Sequence, residues 1–190
     1  MNATSRNSGN NGKSEKTADA KEETPSRLAQ TAEDLFNFAI DRADVRALMG
    51  GLPETAEVKR STVEYELPIL KIISVGWAIS YFLPDGPQKA ELTERYWAAV
   101  SEFSAGLSET TGLMIGREID YFQTLRERLT TYVNALADHP EATEPAAVIG
   151  PEFARLCGNV EDVFAIMTGN RMFIATVGGV KEYLEAIRLR

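Results

Sequence analysis

Two side-chain types that carry much of enzyme chemistry are almost missing from this chain. Its 190 residues include one histidine, His139, and one cysteine, Cys157. A single cysteine excludes an intramolecular disulfide and fits a reducing compartment. A single histidine excludes HExxH metal sites, the paired Glu-x-x-His of di-iron bundles and histidine-containing zinc clusters. His139 stands before Pro140 in the polar run "ADHPEA", where a solvated imidazole is expected rather than a haem ligand or a general base. Cys157 lies in the apolar run "EFARLCGNV". It reads as a small buried hydrophobe, because a reactive thiol needs exposure and nearby positive charge. Nothing local couples the two into a nucleophile and base.

Positive charge is scarce as well. The formal net charge is −8, and there is no Lys/Arg block from which to build a basic patch. An acidic surface repels phosphate backbones and anionic lipids at long range, which argues against nucleic-acid binding. Phosphate-cradling loops are absent: "GNRMFIATVGGVK" has glycines and a lysine but not GxxxxGK[ST] spacing, and neither GxGxxG nor GxSxG occurs. No internal repeat is visible. No cofactor or metal is therefore expected. An enzyme would have to work with Asp, Glu, Tyr, Arg or Lys, so the reading leans against catalysis.

Residues 1–26 lack apolar side chains other than alanine and the first methionine. Such a segment cannot offset the entropy of ordering and is expected to be a disordered polar tail. It has no apolar core of a secretory signal, so a cytoplasmic location is expected.

The rest, residues 27–190, is expected to form a single all-helical domain. The apolar fraction of 44% is enough for a core without staples. The spacing predicts a first helix from about Arg27 to Met49, stopped by "GGLP". A second segment, 54–66, starts after Pro53, with a kink or fresh start at Pro68. The third helix, 88–107, has Leu92, Tyr96, Val100, Phe103 and Leu107 on one stripe. The fourth, 113–137, follows after the short link "SETTG", so the two should form an antiparallel hairpin. Residues 138–152 read as a loop, and Pro151 opens a fifth helix to Met167, broken by "TGN". Residues 171–190 read as a helix despite Gly178 and Gly179, with a strand at "RMFIATV" plus a short helix as the alternative. The fold class is thus all-α: a five- or six-helix bundle with a central antiparallel helical hairpin.

The most apolar stretch is "LPILKIISVGWAISYFL", residues 67–83. As a helix it is roughly 25 Å long, against a bilayer core of about 30 Å. Lys71, Ser74, Ala78 and Tyr81 fall on one face, extended by Glu64. These points argue against a membrane span and for a core helix with one polar edge, the Lys71 amine reaching water along an apolar stem.

Two candidate sites follow. Lys71, Ser74 and Tyr81 on that edge, with Trp77, Tyr96, Trp97 and Phe103, form a candidate ligand pocket for an apolar or aromatic small molecule. Arg117, Glu118, Asp120 and Tyr121, at the start of the fourth helix, form a candidate partner surface. The function expected is a non-catalytic helical interaction or regulatory module that self-associates into a homo-oligomer. The alternative is a binding domain for an apolar or aromatic small molecule held within the bundle.

Overall fold

The computed structural model describes Met1, residues 26–115 and residues 120–189. The expected tail, residues 1–26, therefore lies almost wholly outside the described residues. The described residues form seven helical segments and no strand: α1 Arg27–Ile40, α2 Ala43–Gly51, α3 Arg60–Phe82, α4 Pro87–Ile115, α5 Tyr121–Asp138, α6 Ala146–Leu156 and α7 Val163–Ala186. The fold is an all-α bundle, and α1 and α2 are the two halves of the expected first helix.

Helix α3 is the axis and packs against every other helix. Val63, Leu67, Leu70, Val75, Ala78 and Ile79 are fully or almost fully buried. Fully burying one such Val, Leu or Ile side chain is worth about 1.5–3 kcal/mol. Pro68 causes no break: α3 runs through it. Its ring cannot donate to the carbonyl of Glu64, but Glu64 is exposed, so water can serve that oxygen. Gly76 allows α4 to come close, since a Cβ there would stand 2.5 Å from the Trp97 ring.

α4 and α5 pack against each other as the expected hairpin does, but α4 runs further than expected, to Ile115. The expected link "SETTG" is helical. The hydroxyls of Ser104, Ser108 and Thr110 turn back onto carbonyls four residues earlier, at 2.7–2.8 Å. These residues thus satisfy their side chains inside the helix instead of capping it. Ser108 Oγ also accepts the Tyr121 N–H at 3.1 Å, which ties the start of α5 to α4.

Three further boundaries differ from expectation. The first helix breaks at residues 41–42. There the Asp41 side chain accepts the Ala43 N–H at 3.0 Å, a local bond that competes with helix. Residues 53–59 are not helical, because Asp162 draws the N–H groups of Glu57 and Val58 to its Oδ2, at 2.6 and 3.1 Å. The expected helix over 151–167 is divided. α6 starts early and contains Pro151, Gly158 turns the chain at φ 104°, and Asp162 caps α7 through the Ala165 N–H. "TGN" does not break α7. Gly169 is there because a Cβ would lie 2.8 Å from Phe153 of α6. The strand alternative at "RMFIATV" is replaced by helix throughout.

By length and composition one described helix, α7, is long and apolar enough to cross a membrane, with 39% of its most apolar window buried. The 67–83 stretch singled out above is instead the core of the bundle.

Candidate functional site

The seven residues of the expected ligand pocket do not meet in one cavity. Lys71 and Ser74 are fully buried, so the middle of the polar edge of α3 faces neighbouring helices, while Glu64 and Tyr81 at its two ends are exposed. Lys71 Nζ donates to Asp44 Oδ2 at 2.8 Å and to the Asp41 carbonyl at 2.9 Å, and lies 4.6 Å from the centre of the Phe38 ring. It thereby holds the C-terminal carbonyl of α1 and the first turn of α2 to the core, a favourable place for a cation. Ser74 Oγ donates to the Leu70 carbonyl. Trp77 stacks on Tyr81 at 4.7 Å and meets Phe173 of α7 at 5.4 Å, while Tyr81 itself is 66% exposed. Tyr96 is fully buried and donates to the Ile72 carbonyl at 2.7 Å. Burial pushes its phenol well above the ordinary value. Trp97 lies under Gly76.

Trp97 borders a shallow cavity of about 240 Å³ beside α5, Ser74 and Trp77 border one of only about 20 Å³, and Phe103 is the one of the seven that lines the cavity where α1, α3, α4 and α5 converge. This cavity, about 270 Å³ in volume, opens where the end of α1 meets α3, α4 and α5. Ile40 and Arg42 form one edge; α3 contributes Glu64, Tyr65, Pro68, Ile69 and Ile72. Phe103, Ser104 and Leu107 of α4 and Tyr121 and Leu125 of α5 complete the wall. Ile72, Ser104 and Leu125 at its floor are buried. The charges lie at the mouth, where Arg42 and Glu64 stand 3.7 Å apart with more than half of each side chain exposed. Tyr65 is half-exposed, and desolvation raises its phenol.

Of the expected partner surface, Arg117 and Glu118 lie outside the described residues. Asp120 is exposed and caps α5 by accepting the Gln123 N–H at 2.8 Å. Tyr121 belongs to the cavity wall. Sequence reasoning missed Arg42 because it was placed inside a continuous helix; the break at Asp41 is what turns it to the mouth.

A second polar cluster joins α3, α5 and α6. Glu66, buried, accepts a forked pair of bonds from Arg128, Nε at 2.9 Å and Nη2 at 2.8 Å. The buried Tyr132 hydroxyl has no protein partner, and burial raises it well above its ordinary value. Cys157 is buried too. Desolvation, reinforced by the Glu66 charge, pushes its thiol up to about 12, which leaves it unreactive at neutral pH. His139 is exposed beside Glu141 at 3.2 Å. Among the described residues no three metal-ligating side chains come together.

The outer face of α7 exposes several large apolar side chains. Val163 is 60% exposed, Phe164 42%, Met167 44% and Ile174 58%, with Val160 at 49% just before the helix. The opposite face of the helix, with Ala165, Met172, Phe173, Val180 and Leu184, is in the core.

Compared with known protein families, curated proteins and solved structures, the chain matches no family model, no curated protein and no solved structure.

Proposed function

We propose that this chain is a non-catalytic helical interaction module that self-associates through the outer face of α7. The observation that carries the reading is the exposed run of Val163, Phe164, Met167 and Ile174 at helical spacing. The exposed Arg171 stands on the same face between Met167 and Ile174, so the run is apolar with one cation in its middle, and exposed apolar patches rimmed by polar residues mark interaction sites. A second copy of the chain suits the face better than an unrelated partner, because the two halves of α7 complement each other. The N-terminal half presents a ridge of large side chains. The C-terminal half has Gly178, where a Cβ would meet nothing within 4 Å. Two copies related by a twofold axis, with their α7 helices antiparallel, would set the Phe164–Met167 ridge of each against Gly178 of the other, with the exposed Arg171 of each copy close to the axis and its guanidinium turned out to water. That is a closed isologous contact. The same pairing brings Glu161, before the helix, towards Lys181 of the other copy.

Light scattering and sedimentation over a wide range of concentrations test this. A dimer is expected whose population falls on dilution, and Ile174→Glu should yield monomers with unchanged helix content. A chain that stays monomeric at every concentration overturns the reading. So does an Ile174→Glu effect on binding to lipid vesicles with none on self-association.

A further inference from the structure

We infer that the cavity bounded by α1, α3, α4 and α5 binds a small apolar monocarboxylate, with its carboxylate on Arg42 at the mouth and its apolar body against Phe103, Ile72 and Leu125. The inference is independent of self-association through α7. The cavity uses the Tyr65–Pro68–Ile72 face of α3, whereas α7 meets α3 through Trp77.

Three properties of the cavity define the ligand. The first is size. A volume of about 270 Å³ equals the liquid volume of roughly nine waters at ~30 Å³ each, which suits a body of about ten non-hydrogen atoms. The second is the floor. Ile72 and Leu125 are apolar, and the one hydroxyl there, Ser104 Oγ, already donates to the Val100 carbonyl at 2.7 Å. A ligand polar at both ends, such as a sugar or a nucleotide, would strand a polar group on that floor at a desolvation penalty. The third is the mouth. Arg42 has Glu64 Oε1 as its ion-pair partner at 3.7 Å, beyond hydrogen-bond length. Its planar fork of donors is therefore open to bidentate binding of a carboxylate. Glu64 then acts as a tethered competitor that the ligand carboxylate displaces.

This competition gives the two rim charges opposite signs of effect. Octanoate is the probe, and octanol, its uncharged counterpart, is the control; both are titrated calorimetrically into the full-length chain. Saturable octanoate binding is expected. Arg42→Gln should weaken octanoate by at least about tenfold, the weight of a charge-assisted hydrogen bond, and leave octanol unchanged. Glu64→Gln should tighten octanoate. Leu107→Trp, at a rim position 39% exposed, should block both ligands, with circular dichroism confirming an intact bundle. Absence of saturable octanoate binding overturns the inference. So does equal loss of octanoate and octanol in Arg42→Gln, weakening by Glu64→Gln, or unaltered binding to Leu107→Trp. Ile174→Glu should bind octanoate as the parent does, so failure of this site and failure of the α7 contact are read separately.

Discussion

Removing either partner of the Lys71–Asp44 pair should destabilise the protein unequally. The Lys71 side chain is 1% exposed and that of Asp44 48%. In Asp44→Ala the ammonium keeps the Asp41 carbonyl and the Phe38 ring, and water reaches it only through the space that the half-exposed carboxylate leaves. An uncompensated buried charge left by one partner costs about 3–5 kcal/mol, and the two remaining contacts place this case near ~3 kcal/mol. In Lys71→Met the orphan is Asp44, which is half in water already and rehydrates. The Asp41 carbonyl loses a donor but is at an exposed helix end, and methionine fills most of the lysine stem's space. About 1 kcal/mol is expected, the net worth of an ordinary hydrogen bond. The difference of ~2 kcal/mol corresponds to roughly 1 M in urea midpoint at an m of about 2 kcal/mol/M. The double variant Asp44→Ala/Lys71→Met should be more stable than Asp44→Ala alone, because removing the lysine removes the stranded charge. Urea unfolding followed by circular dichroism measures all of these. If Lys71→Met costs as much as Asp44→Ala, or the double variant is the least stable of the set, then attraction within the pair outweighs desolvation and the reasoning fails.

Two other substitutions test how the bundle is joined. Asp162→Ala removes the cap of α7 and leaves the Glu57 and buried Val58 N–H groups without their acceptor; about 2–4 kcal/mol should be lost. Desolvation alone would raise the Asp162 carboxyl, but the backbone N–H bonds from Ala165, Glu57 and Val58 outweigh it and hold the group below its ordinary value. Its folded-state pKa is thus depressed, so its contribution is complete above the unfolded value of about 3.9 and is lost as pH falls through the folded value. Urea midpoints measured against pH should show a shallower acid limb in Asp162→Asn; an unchanged limb would remove Asp162 from the linkage. Gly76→Ala sets a methyl 2.5 Å from the rigid Trp97 ring, and overpacking of this kind costs about 1–3 kcal/mol. A lower melting temperature and an altered tryptophan emission are expected; a variant indistinguishable from the parent would mean that α3 and α4 do not approach so closely.

How much of this was legible in the sequence depends on where each signal resides. Periodicity is a property of a segment read against itself, and it carried the helical class and the stripes of α4 and α5. The boundaries were lost wherever the deciding group sits on another segment. Asp162 stands 105 residues from the Glu57 N–H that it takes out of the helical pattern. The elbow between α1 and α2 is secured by Lys71, 30 residues beyond the Asp41 carbonyl. Lys71 also explains why the polar edge of α3 misled: a lysine on an apolar helix suggests a stem reaching solvent, but here solvent is replaced by a carboxylate and a helix end brought by another segment. Prolines misled in the opposite direction. Pro68 reads as a kink or fresh start and Pro151 as the opening of a helix, yet both lie inside helices.

The cavity follows from the same cause. Phe103 and Tyr121 were already candidates, each for a different site, and the structure brings them to one wall. Arg42 could not be chosen, because a continuous helix from Arg27 to Met49 gives it no distinct environment. Only the turn at Asp41, held by a charge buried on α3, carries Arg42 to the mouth opposite Glu64. The Lys71–Asp44 pair and the proposed carboxylate site are therefore linked. A substitution that releases the elbow, such as Asp44→Ala, should weaken octanoate even though Asp44 does not line the cavity. Lys71→Met, with milder consequences for the fold, should weaken it less. Octanoate affinities that rank in the same order as the urea midpoints support this linkage. An Asp44→Ala protein that remains folded and binds octanoate as the parent does would show that Arg42 reaches the mouth without the elbow.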